Sequence, residues 1–135
     1  MLLVDASVWV AAGDPEDRFH RDATAVVLDV ETPVAAMDLT LYEIANVGVR
    51  EGQPGEARQV LRVLTTRCGD NIVAIDTPLI SLAMEIAAEH GLTAYDAAYV
   101  AAARRHGWTL ISADIGDLVS KGLAVATDEA DYPRT

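Results

Sequence analysis

Leu2-Leu3-Val4-Asp5 reads as a short strand that ends on a lone acid, and the same pattern recurs along the chain. Val34 to Ala36, Ile72 to Ile75, Thr109 to Ser112 and Ala124 to Thr127 repeat the strand theme, with longer helical patterns between them. Of the three internal runs, only Ile72-Val73-Ala74-Ile75 is strong in isolation. Strands alternating with helices are the signature of βα units around a parallel sheet. The expected fold is therefore α/β, a three-layer α/β/α arrangement whose central parallel sheet has four or five strands flanked by helices.

The helices carry their own punctuation. Asp14-Pro15-Glu16 offers a capping side chain, a proline at the first helical position and an acid in the first turn. Thr77-Pro78 repeats the signal, and Leu79, Leu82, Ala83, Ile86, Ala87 and His90 mark one face of the helix that Gly91 stops. Gln53-Pro54-Gly55 separates a helix around Thr40 to Glu51 from another around Glu56 to Arg67. With no internal repeat, low-complexity tract or linker, residues 1–135 are expected to form one domain, with 128–135 as a loosely held tail.

Bulk properties narrow the function classes. A chain of 135 residues can bury roughly two-thirds of its unfolded surface without disulfides or a structural metal. The single cysteine, Cys68, cannot pair internally, and no Cys or His spacing offers a zinc site, which favours a reducing, cytoplasmic setting. Asp5 interrupts the N-terminus before any secretory pattern develops, and no apolar run reaches the roughly 20 residues needed to span a bilayer. Ten Lys and Arg against 21 Asp and Glu give a net charge of -11, which opposes non-specific attraction to a phosphate backbone. A nucleic-acid substrate would require metal ions or a local basic patch.

Ligands of open α/β sheets sit at the carboxyl ends of strands, so acids just after strands come first. Asp5 ends the first strand, and Asp114 follows the Thr109 to Ser112 strand by two residues. Glu43 and Asp96 lie in the first turns of helices that begin near the same edge. Four converging carboxylates raise one another's pKa, and a divalent cation relieves that repulsion. An all-oxygen set suits Mg²⁺ or Mn²⁺ rather than zinc, and such ions promote phosphodiester hydrolysis. Each acid alone has a structural explanation. Thr40-Leu41-Tyr42-Glu43 fits a capping box, Thr93-Ala94-Tyr95-Asp96 a weaker one, Asp5 or Ser7 can cap a short helix, and Asp114 can end a strand in a turn. Only the joint placement favours catalysis.

Four segments then match a known family in order and spacing. Val4-Asp5-Ala6-Ser7-Val8 resembles the Asp-x-Ser opening of PIN-domain ribonucleases, and Leu41-Tyr42-Glu43-Ile44-Ala45-Asn46-Val47 resembles their Glu-x-x-Asn helix. Tyr95-Asp96-Ala97-Ala98-Tyr99-Val100-Ala101-Ala102-Ala103 resembles the helix of the third acid, and Leu110-Ile111-Ser112-Ala113-Asp114 the closing strand. The resemblance spans essentially the whole chain and is nearest to VapC-type toxins of toxin–antitoxin pairs. It implies an endoribonuclease that leaves 5′-phosphate and 3′-hydroxyl ends, needs Mg²⁺ or Mn²⁺, acts as a homodimer and is silenced by a cognate antitoxin. It further implies Asp5 and Asp96 as metal ligands, Glu43 and Asp114 completing the catalytic pocket, and Ser7, Asn46 and Ser112 orienting ligands or water. Asp117 reads as a turn acid first and an auxiliary ligand second.

The remaining conspicuous residues read as ordinary. His20, His90 and His106 fall at or near helix ends, Trp9 and Trp108 suit packing, and Cys68 suits a small buried site. Arg58, Arg62 and Arg67 recur at helical spacing as a solvated face, and with Arg104 and Arg105 are among the few cations that could meet RNA or an acidic partner segment. Two other readings compete. A PIN-like RNA-processing nuclease without an antitoxin would use the same cleft, as would a non-enzymatic signalling or interaction module. A phospho-receiver wants adjacent acids after the first strand and a lysine after a late one. Here Asp5 stands alone, and the only lysine, Lys121, falls past Asp114 in a turn-like segment.

Overall fold

A computed structural model of the protein describes residues 1–129, so most of the expected tail, from residue 130 onward, lies outside the described residues. Strands β1 (Leu2–Val4), β2 (Val34–Met37), β3 (Ile72–Val73), β4 (Thr109–Ser112) and β5 (Val125–Ala126) form one sheet in the order β3-β2-β1-β4-β5, with every pairing parallel. The helices are α1 (Ala6–Ala12), α2 (His20–Leu28), α3 (Asp38–Arg50), α4 (Pro54–Cys68), α5 (Thr77–His90) and α6 (Ala94–His106). The expected α/β/α layering is what forms, with five strands.

Alternation along the strands builds the two cores, because successive side chains leave a strand on opposite faces. Leu2, Val4, Val34, Ala36 and Ile111 pack with Val8, Trp9, Val26 and Leu64 of α1, α2 and α4 on one side. Leu3, Ala35, Met37 and Leu110 pack with Leu79, Ala83 and Ile86 of α5 and with α6 on the other. Residues 97 to 103 of α6 are buried without interruption, as expected of a helix apolar on every side and enclosed by sheet and neighbours. The alanines among them let α6 approach the sheet closely.

Several local expectations are corrected. Ile72 to Ile75 yields only the two-residue, half-buried edge strand β3, because the Ile75 N–H donates to the Asp38 carboxylate (3.1 Å) and leaves the ladder. Ala124 to Thr127 contributes only Val125–Ala126. No helix starts at Pro15. Asp14 and Asp17 accept bonds from the N–H groups of Glu16 (3.0 Å) and Phe19 (2.8 Å), local turns that delay α2 until His20. Thr40 is not a cap either, since α3 begins two residues earlier at Asp38 and the Thr40 hydroxyl accepts from the Met37 N–H (3.0 Å). Asp76, rather than Thr77, caps α5 through the Leu79 N–H (2.8 Å).

Arg67 does not belong to a solvated face. Its guanidinium donates to the carbonyl oxygens of Val27, Asp29 (2.7 Å) and Thr32 (3.1 Å), fastening α4 to the segment between α2 and β2. Arg105 is likewise engaged, in a two-bonded pair with Asp76 at 2.9 and 3.1 Å. Trp9 and Cys68 are buried, His20 contacts the Ala11 carbonyl, and His106 stacks on Trp108. Among the described residues no helix is long and apolar enough to cross a membrane.

Candidate active site

Strand β1 lies between β2 and β4, so the connections leave it in opposite directions and open a crevice at the carboxyl ends of β1 and β4. Ligands of open α/β sheets occupy such switch points. Asp5 stands at the end of β1, where its carboxylate caps α1 by accepting from the Val8 N–H (3.4 Å) and accepts from the Ser7 hydroxyl. The capping explanation for Asp5 thus holds alongside any other. Ser7 Oγ accepts from the Ala113 N–H (3.0 Å) and lies 3.4 Å from Ser112 Oγ, which accepts from the Asp114 N–H (2.9 Å). The two serines lace the ends of β1 and β4 together.

Two helices deliver the other acids. With α3 starting at Asp38, Glu43 sits in the second turn, where its Oε1 accepts a 2.7 Å bond from the Tyr99 hydroxyl. That hydroxyl also lies 2.9 Å from Thr40 Oγ1. Asp96 is in the first turn of α6, its N–H bonded to the capping Thr93 hydroxyl (3.1 Å). Asp114 caps a π-helical turn, Ile115–Val119, by accepting from the Asp117 N–H (3.0 Å). Asp5, Ser7, Glu43, Asn46, Asp96 and Asp114 line one cavity of about 740 Å³, and Ser112 is buried beside Asp5. The sequence-predicted residues therefore come together.

The carboxylates form a chain of mutual repulsion. Burial lifts Asp5 from 3.8 to about 6, against the hydrogen bonds from Ser112, Ser7 and the Val8 N–H that favour its charged form; the charge of Glu43 raises it further. Glu43 is raised by burial and by Asp96, against the Tyr99 bond. Asp96 is raised by burial and by Asp114 and Asp117, with Lys121 pulling the other way. The carboxylate oxygens of Asp96, Asp114 and Asp117 lie within 4.8 Å of one another, a ligand-like spacing that Asp5 and Glu43 do not share. A carboxylate donor set with no Cys or His among the described residues of the cavity is the chemistry of a hard divalent cation.

Some residues of the site are not singled out by sequence reasoning. Tyr99 falls within a family-like motif that assigns it no role, although its place three residues after Asp96 puts both on one face of α6. Asp117, by contrast, reads from sequence as a turn acid first and an auxiliary ligand second; it lies in the turn that Asp114 caps and its carboxylate belongs to the tight group. Arg50, Tyr42 and Tyr95 also line the cavity. The two tyrosines carry a readable signal, because each immediately precedes an acid of the site.

Comparison with known proteins agrees with this geometry. The family model described as PIN domain matches residues 2–117. Over 118 residues the chain is 34% identical to ribonuclease VapC3 of Pyrobaculum aerophilum, covering 84% of this chain and 88% of that protein. In structure it is similar to a toxin–antitoxin complex from Klebsiella pneumoniae, with TM-score 0.72 and 21% identity over 96% of this chain and 99% of the other. VapC20 of Mycobacterium tuberculosis, described as a sarcin-ricin loop cleaving toxin, superposes with TM-score 0.74 and 20% identity over 93% of this chain and 97% of its own. At such identities the structural likeness concerns the fold. The sequence match carries the assignment further, and by it the chain belongs to the PIN-domain family.

Proposed function

We propose that this protein is a metal-dependent endoribonuclease that hydrolyses RNA phosphodiester bonds as the toxin of a toxin–antitoxin pair. One observation carries the reading: acids from four separate elements line a single cavity at the switch point of the sheet. Helix capping explains Asp5 and Asp114 but not why Glu43, in the second turn of α3, faces the same space. A relative known as a ribonuclease and a structural neighbour from a toxin–antitoxin complex favour this activity and an antitoxin partner.

In this reading Asp5 and Asp96 hold Mg²⁺ or Mn²⁺, with Asp114 and Asp117 close enough to share the load and Glu43 completing the pocket. When bound, the cation supplies Lewis-acid activation of water and charge stabilisation on the scissile phosphate. The chain's own residues do the positioning. Ser7 and Ser112 hold the Asp5 carboxylate, Tyr99 holds that of Glu43, and Asn46, on the turn after Glu43, faces the cavity as a hydrogen-bonding group for water or phosphate. The whole chain acts as one unit in the cytoplasm, pairs with itself as a homodimer, and offers α3 and α4 to the antitoxin.

Incubation of the purified protein with RNA tests the activity. Cleavage at internal sites, leaving 5′-phosphate and 3′-hydroxyl ends, is expected with Mg²⁺ or Mn²⁺ and is abolished by EDTA. Undiminished cleavage in EDTA, or release of single nucleotides from an end, contradicts the proposal.

A further inference from the structure

We infer that Tyr42 and Tyr95 are base-stacking platforms at the mouth of the site, with Arg50 gripping the neighbouring phosphate. The inference rests on the ribonuclease reading above and deepens it by naming the residues that hold the bases.

Three observations converge. Tyr42 is 76% and Tyr95 64% exposed, so both rings are open to a partner from solvent. Both nevertheless line the acidic cavity, carried there from α3 and α6, whose next residues are Glu43 and Asp96. The third described tyrosine, Tyr99, is 1% exposed and fully engaged with Thr40 and Glu43, so exposure at the mouth is not a general habit of tyrosine here.

Charge strengthens the argument. A chain of net charge -11 has no general electrostatic hold on RNA. Among the described residues Arg50 is the one cation lining the cavity and has no ion-pair partner, whereas Arg105 is committed to Asp76 and Arg67 to backbone carbonyls. Beyond the cation and Arg50, contacts that need no positive charge are the ones left to add affinity at such a site. Stacking of bases on aromatic rings is such a contact, and it is open only to bases not already stacked within a duplex. A ring beside each of two acids lets the bases on either side of a phosphate be splayed over the cavity.

Binding and turnover of a single-stranded oligoribonucleotide containing 2-aminopurine, and of its duplex, separate the outcomes in wild type and in Tyr42→Leu, Tyr42→Phe, Tyr95→Leu and Tyr95→Phe. The fluorescence quench on mixing with Mn²⁺ reports stacking independently of cleavage. Wild type is expected to quench the single strand and to prefer it over the duplex. Each leucine variant should lose most of that quench and raise KM about tenfold with kcat changed by less than about twofold, while each phenylalanine variant retains both. The slope of log affinity against log salt should be shallow, of order -1, as one phosphate contact dictates. Because both positions are exposed, thermal melts of all variants should coincide. Leucine variants that quench and cleave as wild type overturn the inference and leave the ribonuclease reading standing. Leucine variants whose sedimentation changes while RNA binding does not overturn it too, assigning the tyrosines to a protein contact. A wild type that neither binds nor cuts RNA overturns both.

Discussion

The Tyr99 hydroxyl is wedged between Thr40 and Glu43, and burial holds its pKa above the ordinary phenol range, so it remains a donor at any working pH. It thereby fixes one Glu43 oxygen in the cavity wall while its ring fills the core beside α5. Tyr99→Phe keeps the ring and removes only that donor. The expected cost in stability is about 1 kcal/mol, the usual worth of one hydrogen bond, whereas kcat should fall on the order of tenfold as Glu43 loses its fixed position. Urea unfolding and turnover with saturating Mn²⁺ separate the two, and activity lost only in proportion to the unfolded fraction would make Tyr99 a packing residue. At this scale much of the site was legible. Asp5, Glu43, Asp96 and Asp114 stand at strand ends or early in helices, where a reader of sequence looks. Tyr99 was not, because a tyrosine's role depends on whether its hydroxyl or its ring face finds the cavity, and helical spacing alone does not decide that.

Elements show where local signals fail against tertiary ones. Val34 to Ala36, weak as an isolated pattern, became a fully buried strand by lying between β1 and β3, while the stronger Ile72 to Ile75 run ended at the sheet edge after two residues. Proline at position 15 gave a sound helix signal, yet Asp14 and Asp17 closed turns on their own neighbours first. Arg67 gives the clearest case, since spacing with Arg58 and Arg62 suggested solvent and the structure gives it three carbonyl acceptors across the chain. Those acceptors yield a prediction. Arg67→Met preserves the stem but strands carbonyls that are partly buried, and should destabilise by about 2 to 3 kcal/mol in urea unfolding while leaving the KM for RNA unchanged. A variant as stable as wild type with a raised KM would return Arg67 to the substrate face.

For the whole molecule, the acidic cavity sets stability against function. Asp5, Glu43 and Asp96 all have pKa values raised by folding, so each binds its proton more tightly in the native state. Their contribution is fully present below the unfolded values and is lost as pH rises through the folded ones. For Asp5 the window runs from 3.8 to about 6, and its part amounts to about 3 kcal/mol. The exposed Asp76, lowered by Arg105, works in the opposite sense but is screened by solvent. Metal-free protein should therefore unfold at lower urea at pH 7 than at pH 5, and Mn²⁺ should restore more stability at pH 7, where it no longer competes with protons. A flat or rising profile in EDTA would contradict the repulsive cavity. In the proposed reading a cation answers this like-charge crowding, and Mn²⁺ titration by calorimetry tests that most directly, on wild type and Asp96→Asn side by side. Wild type should bind Mn²⁺ and cut RNA. Asp96→Asn keeps the backbone bond to Thr93 and should melt as wild type does, yet bind Mn²⁺ at least tenfold more weakly and lose nearly all cleavage. If Asp96→Asn instead binds Mn²⁺ as tightly as wild type, or cleaves RNA in proportion to its folded fraction, the carboxylates are caps and turns, and the metal-dependent site does not exist.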